Sequence, residues 1–561
     1  MDDLNADLLL NVVQYLCARD GCRLAATASR YFYLVHHYRQ LRGAELVAAT
    51  SYIPQVKSRQ QTPRDVYEQA LSKLQSKPNL CLAFNKPSGP LADHLPLLVP
   101  DDCVILGAIS SSIQSSFTGQ LEYKSNSSIM LGSMKDAQIR PFCLQQHEQS
   151  GDYQGTLDQL DSANCSWKVF MVYACGDLAA DVEPFVTHLQ NRYPNSTIVG
   201  GICNSGYISV PIQQKTKSEL TSMPFHSLLH LNQRLGGRTP DEGITKVELV
   251  HHVHGVMQTK RFQLKVMEDE GGVFGVALAG DVPVRSMVSR GVTSLTYRGA
   301  PLPTTPFYAD VVEFHRPGDE EYMFQGEDPP SYHLIRRVRD TDSGKTYSAH
   351  EMMMKFGSPN LIGIRRPNED GFELHIAASE VMDLNFYFID RQNDISRSLN
   401  AFLFMVRGSP DTEKALTDAN IDFFDIDGAA CMQDMEVSIR HLKEQTHGEQ
   451  LLGAVMFSCS ARGPTAGNLL SVDMADATSF ANGFPNVPCL GFYAGGEIGP
   501  VARAGRQDVF RSGNATLQGF TAVFALFIVP EIDLGTMILD DRRENVEAFL
   551  RGRLATGIHD I

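Results

Sequence analysis

The chain has 561 residues, 43% of them hydrophobic and 20% charged, enough for about three to five domains with sizeable cores. A formal charge of −16 with no block of Lys or Arg excludes a protein built to neutralise phosphates, so nucleic acid is not an expected partner. The longest apolar stretch, 521–530, is too short for a bilayer, the acidic start lacks the features of a secretory signal, and 11 cysteines without a CxxC pair fit a reducing compartment. No membrane is expected, and the cytosol or nucleus is the expected address.

In chain order, residues 2–18 carry Leu4, Leu8, Leu9, Val12, Val13 and Leu16 at helical spacing behind an acidic first turn. Two more short helices are expected at 20–29 and from 30 onward. Three helices in about forty residues bury little alone, so this piece must lean on a partner or on the rest of the chain. Residues 51–61 read as a connection, and Thr62-Pro63 as the cap and first residue of a helix running to about 74.

Strands alternating with helices follow. Residues 79–85 read as a buried strand, 91–98 as a short helix and 103–109 as a second strand. The same order recurs as a strand at 167–174, a helix at 177–193 and a strand at 196–206 that breaks into Gly and Ser, which suggests a repeated βαβ-like unit. The polar stretch 115–164 between them reads as a long excursion.

Antiparallel strands are expected at 226–232, 245–253, 261–266, 271–280 and 284–291. Pro and Gly thicken over 299–330, the best place for an internal boundary, and 339–345 looks like a hairpin tip. Strands at 372–378 and 384–390 and helices at 434–445 and 543–554 frame the closing part. The fold class is α+β: a short helical segment at 1–45, two mixed halves with largely antiparallel sheets at 62–300 and 301–540, and a helix and tail at 541–561.

Near the end stand two glycine-studded apolar segments, LLGAVMFSCSARGP (451–464) and VPCLGFYAGGEIGPV (487–501), and the apolar run LQGFTAVFALF (517–527). Each begins as a buried strand. If the strands with Phe457 and Phe492 are neighbours, their ends bring Ser458, Cys459, Ser460, Arg462 and Gly463 towards Gly495, Gly496, Glu497 and Gly499. Glycine lets a ligand approach the backbone, Arg462 offers a planar fork for a carboxylate and Glu497 a site for an ammonium, the pair suiting a small zwitterion. The alternative is that Arg462 and Glu497 pair with each other above tight turns. Arg462→Ala would remove ligand binding at nearly constant melting temperature in the first case, and lower the melting temperature in the second.

Other constellations carry less. Cys459 in Ser-Cys-Ser has no histidine nearby in sequence to act as base, so a turn or core cysteine is expected rather than a nucleophile. His252 and His254 can share a strand face but lack two further ligands, and no phosphate loop, dinucleotide fingerprint or other cofactor motif occurs. Trp167 is expected in the core.

The ordered blocks FSCSARG, VPCLGFYAGGEIGPV and LQGFTAVFALF closely resemble the carboxyl-terminal half of FIST domains, named for F-box and intracellular signal transduction. Residues 275–292 resemble the end of the amino-terminal FIST half and 384–399 the lead into the second, so the resemblance spans about 78–530. Residues 4–37 in turn resemble an F-box through Leu4, Leu8, Leu9, Tyr15, Leu16, Leu24, Ser29, Arg30 and Phe32, with Asn5 where that motif usually has proline. The resemblance implies a non-catalytic adaptor: Leu4, Leu8, Leu9, Val12, Leu16 and Leu24 dock on Skp1 and through it a cullin, while the FIST body recruits a protein for ubiquitination. The other reading is a small-ligand sensor whose helical segment is only a cap, since FIST domains are thought to sense small ligands of the amino-acid kind. Under it Ser458, Cys459, Arg462, Gly463, Gly495, Glu497 and Gly499 form the site.

Overall fold

A computed structural model describes residues 44–530 apart from several internal segments, the longest being 212–249 and 377–404. The helical segment 1–45, the strands expected at 226–232 and 384–390, and the helix at 543–554 fall almost wholly outside the described residues.

The first described strand, β1 (Glu45–Tyr52), precedes helix α1 (Pro63–Leu71). The helix starts where its chemistry dictates: Asp65 N donates to Thr62 Oγ1 at 3.2 Å and Thr62 N to Asp65 Oδ2 at 2.8 Å, a capping box with Pro63 in the first turn. Then come β2 (Leu80–Asn85), α2 (Leu91–Leu98) and β3 (Val104–Ile109), with β2 and β3 parallel, followed by the short β4 (Ile113–Ser115). The described part of the expected excursion at 115–164 holds β5 (Ser125–Ser133), β6 (Ala137–Cys143) and α3 (Gln154–Asp161). β5 is polar in sequence yet held across the sheet: Ser128 Oγ lies 3.1 Å from Thr50 Oγ1, and the main-chain N–H of Ser127 donates to Ser51 Oγ at 3.1 Å.

The second unit is β7 (Trp167–Cys175), α4 (Val182–Arg192) and β8 (Thr197–Ile202), again with parallel strands, followed by β9 (Ser205–Pro211). Trp167 is buried as expected, its Nε1 donating to Leu160 O at 3.3 Å. Antiparallel strands β10 (Phe262–Met267), β11 (Gly272–Gly280) and β12 (Val284–Ser289) come next. After helix α5 (Gly428–Gln445) a third unit appears that the sequence reading did not identify: β13 (Glu449–Cys459), α6 (Ala475–Gly483) and β14 (Cys489–Ala494), its strands parallel. Strands β15 (Glu497–Pro500), β16 (Ala515–Gln518) and β17 (Ala522–Pro530) close the body. The run 517–527 is thus two strands. Phe520 breaks it in left-handed conformation at φ 62°.

Each unit anchors a six-stranded sheet of the same design. An antiparallel strand flanks the first parallel strand: β5 beside β2, β11 beside β7, β17 beside β13. On the far side of the second lies a strand lent by another unit. β9, which follows β8, pairs β3; β4, which follows β3, pairs β14; β15, which follows β14, pairs β8. The three exchanges close a ring, and strands from 62–300 and 301–540 share two of the three sheets.

Helices cover the outer faces: Val66 and Leu91 pack with Ala83 and Ile105, Phe185 and Leu189 with Phe170 and Val172, Ile439 and Phe480 with Met456 and Phe524. The inner faces meet in one core, which is why these strands are apolar on both sides. At matching register positions stand Phe84 opposite Ala108, Tyr173 opposite Gly201 and Phe457 opposite Phe492. The rings of Tyr173, Phe457 and Phe492 lie 5.5–5.7 Å apart and Phe84 6.1 Å from Phe492.

A fourth, nine-stranded sheet occupies much of 292–504. Phe307–His315, a strand paired with Tyr332–Asp340 and Asn420–Ile426, lies inside the expected boundary at 299–330. The hairpin tip expected at 339–345 is present, with Gly344 at φ 67°. Pairing is mostly antiparallel and the described residues are a mixed, sheet-rich fold, as the α+β expectation had it.

Candidate functional site

The sequence reading set the ends of β13 and β14 side by side, and the structure does the same: Phe457 pairs Phe492, Ser458 pairs Tyr493 and Cys459 pairs Ala494. Beyond Cys459 the chain makes a single 3-10 turn, Ser460–Arg462. Gly463 then passes so close to Tyr493 that an added Cβ would sit 2.8 Å from its ring.

Arg462 does not face Glu497. Its side chain is wholly buried and bound to Asp476 in the first turn of α6, Nη2 to Oδ1 at 2.6 Å and Nε to Oδ2 at 2.9 Å. Nη1 donates to Arg290 O at 3.1 Å and Phe520 O at 3.3 Å, and Ser458 Oγ donates to Asp476 Oδ2 at 2.5 Å. Burial opposes the guanidinium charge, but the Asp476 carboxylate outweighs it and holds the Arg462 pKa above its ordinary value. Both expected roles for Arg462, holding a ligand carboxylate and pairing with Glu497, give way to a clamp that ties β13 to α6 and to the carbonyls of Arg290 and Phe520.

Glu497 stands at the level of the aromatic row, in register with Gly201, which in turn pairs Tyr173; the two related sheets have Gly206 and Ile113 at that place. It is 0% exposed. Oε2 accepts from Thr521 Oγ1 at 2.8 Å and Thr521 N at 3.2 Å, while Oε1 has no hydrogen-bond partner. Burial pushes its pKa up to about 8 against the opposing pull of the Thr521 bonds and the charges of Arg290 and Arg462.

The residue that sequence reasoning missed is Arg290, just beyond β12. Its Nη1 donates to Leu374 O at 3.0 Å and Nη2 to Gly519 O at 2.8 Å, leaving Nε buried without a partner. Burial lowers its pKa to about 10, with Glu497 pulling the other way. Asp476 and Thr521 were missed as well. Only the small polar residues flanking apolar strands could have pointed to them.

The remaining predicted residues divide. Ser458 belongs to the Arg462 clamp, and burial together with Glu497 pushes the Cys459 thiol up to about 12, so it stays protonated at neutral pH. Gly495 N donates to Ile202 O at 2.9 Å in the exchange between units, and an added Cβ at Gly499 would lie 2.7 Å from Val523. Gly499 therefore serves close packing, whereas Gly495 is exposed and an added Cβ there would meet nothing nearer than 3.7 Å. Strand Val250–Val253 carries His251 and His252, whose side chains lie outside the described residues as His254 does.

The buried carboxyl makes a signed prediction. Its folded pKa of about 8 lies above the unfolded value near 4.3, so the native state holds the proton more tightly. Glu497 therefore costs nothing below the unfolded value, lowers stability progressively up to about pH 8, and adds no further pH dependence above it. Urea unfolding of the wild type and Glu497→Gln at pH 5 and pH 8.5 is expected to show the variant gaining on the wild type by roughly 2–4 kcal/mol between the two. An unchanged difference would contradict a protonated carboxyl.

Two uncharacterized proteins of Mycobacterium tuberculosis, from strains H37Rv and CDC 1551, are each 32% identical over 110 residues, and one of Mycobacterium bovis is 31% identical over 110 residues. Each alignment covers 20% of this chain, which spans 25% of the length of the curated relatives it matches. Residues 415–500 match the family model of the FIST C domain, a stretch that holds strand Asn420–Ile426, α5, β13, α6, β14 and β15.

Proposed function

We propose that the chain is a FIST-type sensory protein that binds a small ligand between Glu497 and Arg290. One observation carries the reading: two fully buried, electrostatically coupled groups each keep an unsatisfied polar atom, an acceptor at Glu497 Oε1 and a donor at Arg290 Nε. Buried polar atoms are nearly always paired, so an acceptor and a donor left over together suit a ligand offering one of each. A small zwitterion of the amino-acid class does so through its ammonium and carboxylate. Arg290 replaces Arg462 in that role, because Arg462 is committed to Asp476. A thermal-shift panel of amino acids and related metabolites tests the site: a binder raises the melting temperature of the wild type and not of Glu497→Gln. Equal shifts in both proteins would reject the site.

The second reading concerns output and rests on the pattern of Leu4, Leu8, Leu9, Leu16, Leu24, Ser29, Arg30 and Phe32. In it Leu4, Leu8, Leu9, Val12, Leu16 and Leu24 dock on Skp1, making the chain a substrate-recognition adaptor of a cullin-type ubiquitin ligase with no catalytic residues of its own. An apolar face of this kind suits the helix-in-groove mode of binding. Purified Skp1 should co-purify with the full chain and lose it when residues 1–45 are deleted. Failure of the full chain to retain Skp1 would remove this arm and leave the ligand site standing.

A further inference from the structure

Lys265 and Cys143 are 122 residues apart, yet Lys265 Nζ lies 3.1 Å from Cys143 Sγ. The contact joins two different sheets. Lys265 is on β10, the last strand of the sheet built on β2 and β3, and Cys143 ends β6, the last strand of the sheet built on β7 and β8. Both residues are half-buried, so a small oxidant reaches them from solvent. Neither takes part in the Glu497 cluster.

We propose that Cys143 and Lys265 are a peroxide-responsive covalent modification site that links the two sheets through a sulfur–nitrogen bond. A cation in contact with a thiol favours the thiolate, the form that attacks peroxide, and a sulfenic acid condenses with a nearby nitrogen. In the first step the Cys143 thiolate attacks hydrogen peroxide. The S–O bond forms, the O–O bond breaks, and the departing hydroxide takes a proton from the Lys265 ammonium and leaves as water. In the second step the neutral Lys265 amine attacks the sulfenic sulfur. The S–N bond forms, the S–OH bond breaks, and the hydroxide takes the second amine proton and leaves as water. Sulfur gives up two electrons, one peroxide is reduced, and two waters are released. The contact already in place means that neither strand has to move far. The link closes a long loop, restricting the unfolded chain much as a disulfide does.

The test is peptide mass spectrometry of the full chain after mild hydrogen peroxide, digested without reductant. The expected product joins the Cys143 and Lys265 peptides, weighs two hydrogens less than their sum and separates on adding a thiol, and the treated protein melts higher. Lys265→Arg should give no linked product but a Cys143 sulfenic acid that a dione probe traps, and Cys143→Ser should give neither. Four outcomes would overturn the proposal: Cys143 over-oxidised beside an unmodified Lys265 in the wild type, Cys143 unreacted, a linked pair carrying an extra oxygen, or a link that survives in Lys265→Arg.

Discussion

Arg462→Ala is expected to cost about 3–5 kcal/mol of folding stability, because it removes one partner of a fully buried ion pair and leaves the other uncompensated. The loss is wider than one contact. Asp476 keeps only the Ser458 hydroxyl, and the carbonyls of Arg290 and Phe520 each lose the Arg462 Nη1 donor. Asp476→Asn should fall in the same direction. Replacing both partners with apolar residues, Arg462→Met with Asp476→Leu, should recover much of the loss, since the desolvation of two charges disappears with the attraction between them. Denaturant unfolding of the two single variants and the double variant measures this. A destabilisation below about 1 kcal/mol for Arg462→Ala would mean that the pair behaves as an exposed one. The sequence alone allowed a nearly silent Arg462→Ala. The bidentate bond to Asp476, 14 residues away, rules that out.

Gly491→Ala and Gly200→Ala are expected to cost about 3 kcal/mol each, the upper part of the range for overpacking a well-filled core. The two glycines occupy the same place in two of the three units, Gly491 opposite Met456 and Gly200 opposite Val172, one position from the aromatic row. An added Cβ would sit 1.7 Å from the carbonyl oxygen of Met456 or Val172. That neighbour is backbone and cannot rotate away. Gly107 is the third member of the set, and there the obstacle is the Tyr207 ring at 2.1 Å, fixed by its hydroxyl's hydrogen bond to Asn85 Oδ1. Gly448→Ala makes the comparison, since Gly448 has φ 80° with nothing within 4 Å, so only backbone strain of about 1 kcal/mol is expected. Calorimetric melting of Gly491→Ala, Gly200→Ala, Gly107→Ala and Gly448→Ala should rank Gly448→Ala mildest. If it ranked with the others, close approach of the strands would not be the reason for glycine at these positions.

The parts of the fold that a reader of the sequence could see are those whose signal is local. Leu91–Leu98 and Leu80–Asn85 are marked by periodicity and flanking turn residues, and Thr62 with Pro63 announces a helix start. β5 was hidden because it is polar in sequence and held by Thr50 and Ser51, more than 70 residues earlier. Phe307–His315 was hidden among the prolines and glycines around it. The ring of exchanged strands leaves no local trace at all. Its closing contacts include Ser110 Oγ donating to Tyr493 O, 383 residues apart.

The candidate site divides in the same way. The juxtaposition of Phe457 and Phe492 was legible, since two apolar strands ending in glycine were bound to pack together. The partners were not, because Asp476 lies on a helix with little apolar pattern, and Arg290 belongs to a strand end 207 positions before Glu497 in the numbering of the chain. A buried Arg and a buried Glu look like a surface pair until their surroundings are known.

The central claim is that Glu497 and Arg290 together receive a ligand, and isothermal titration of a zwitterionic binder across pH 6 to pH 9 tests it most directly. An ammonium favours the ionised carboxyl, so affinity should rise with pH up to about 8, by at most about tenfold per unit, and level off above it. In Glu497→Gln the pH dependence should vanish and binding should weaken. Affinity independent of pH in the wild type, or binding that Glu497→Gln leaves intact, would contradict the account.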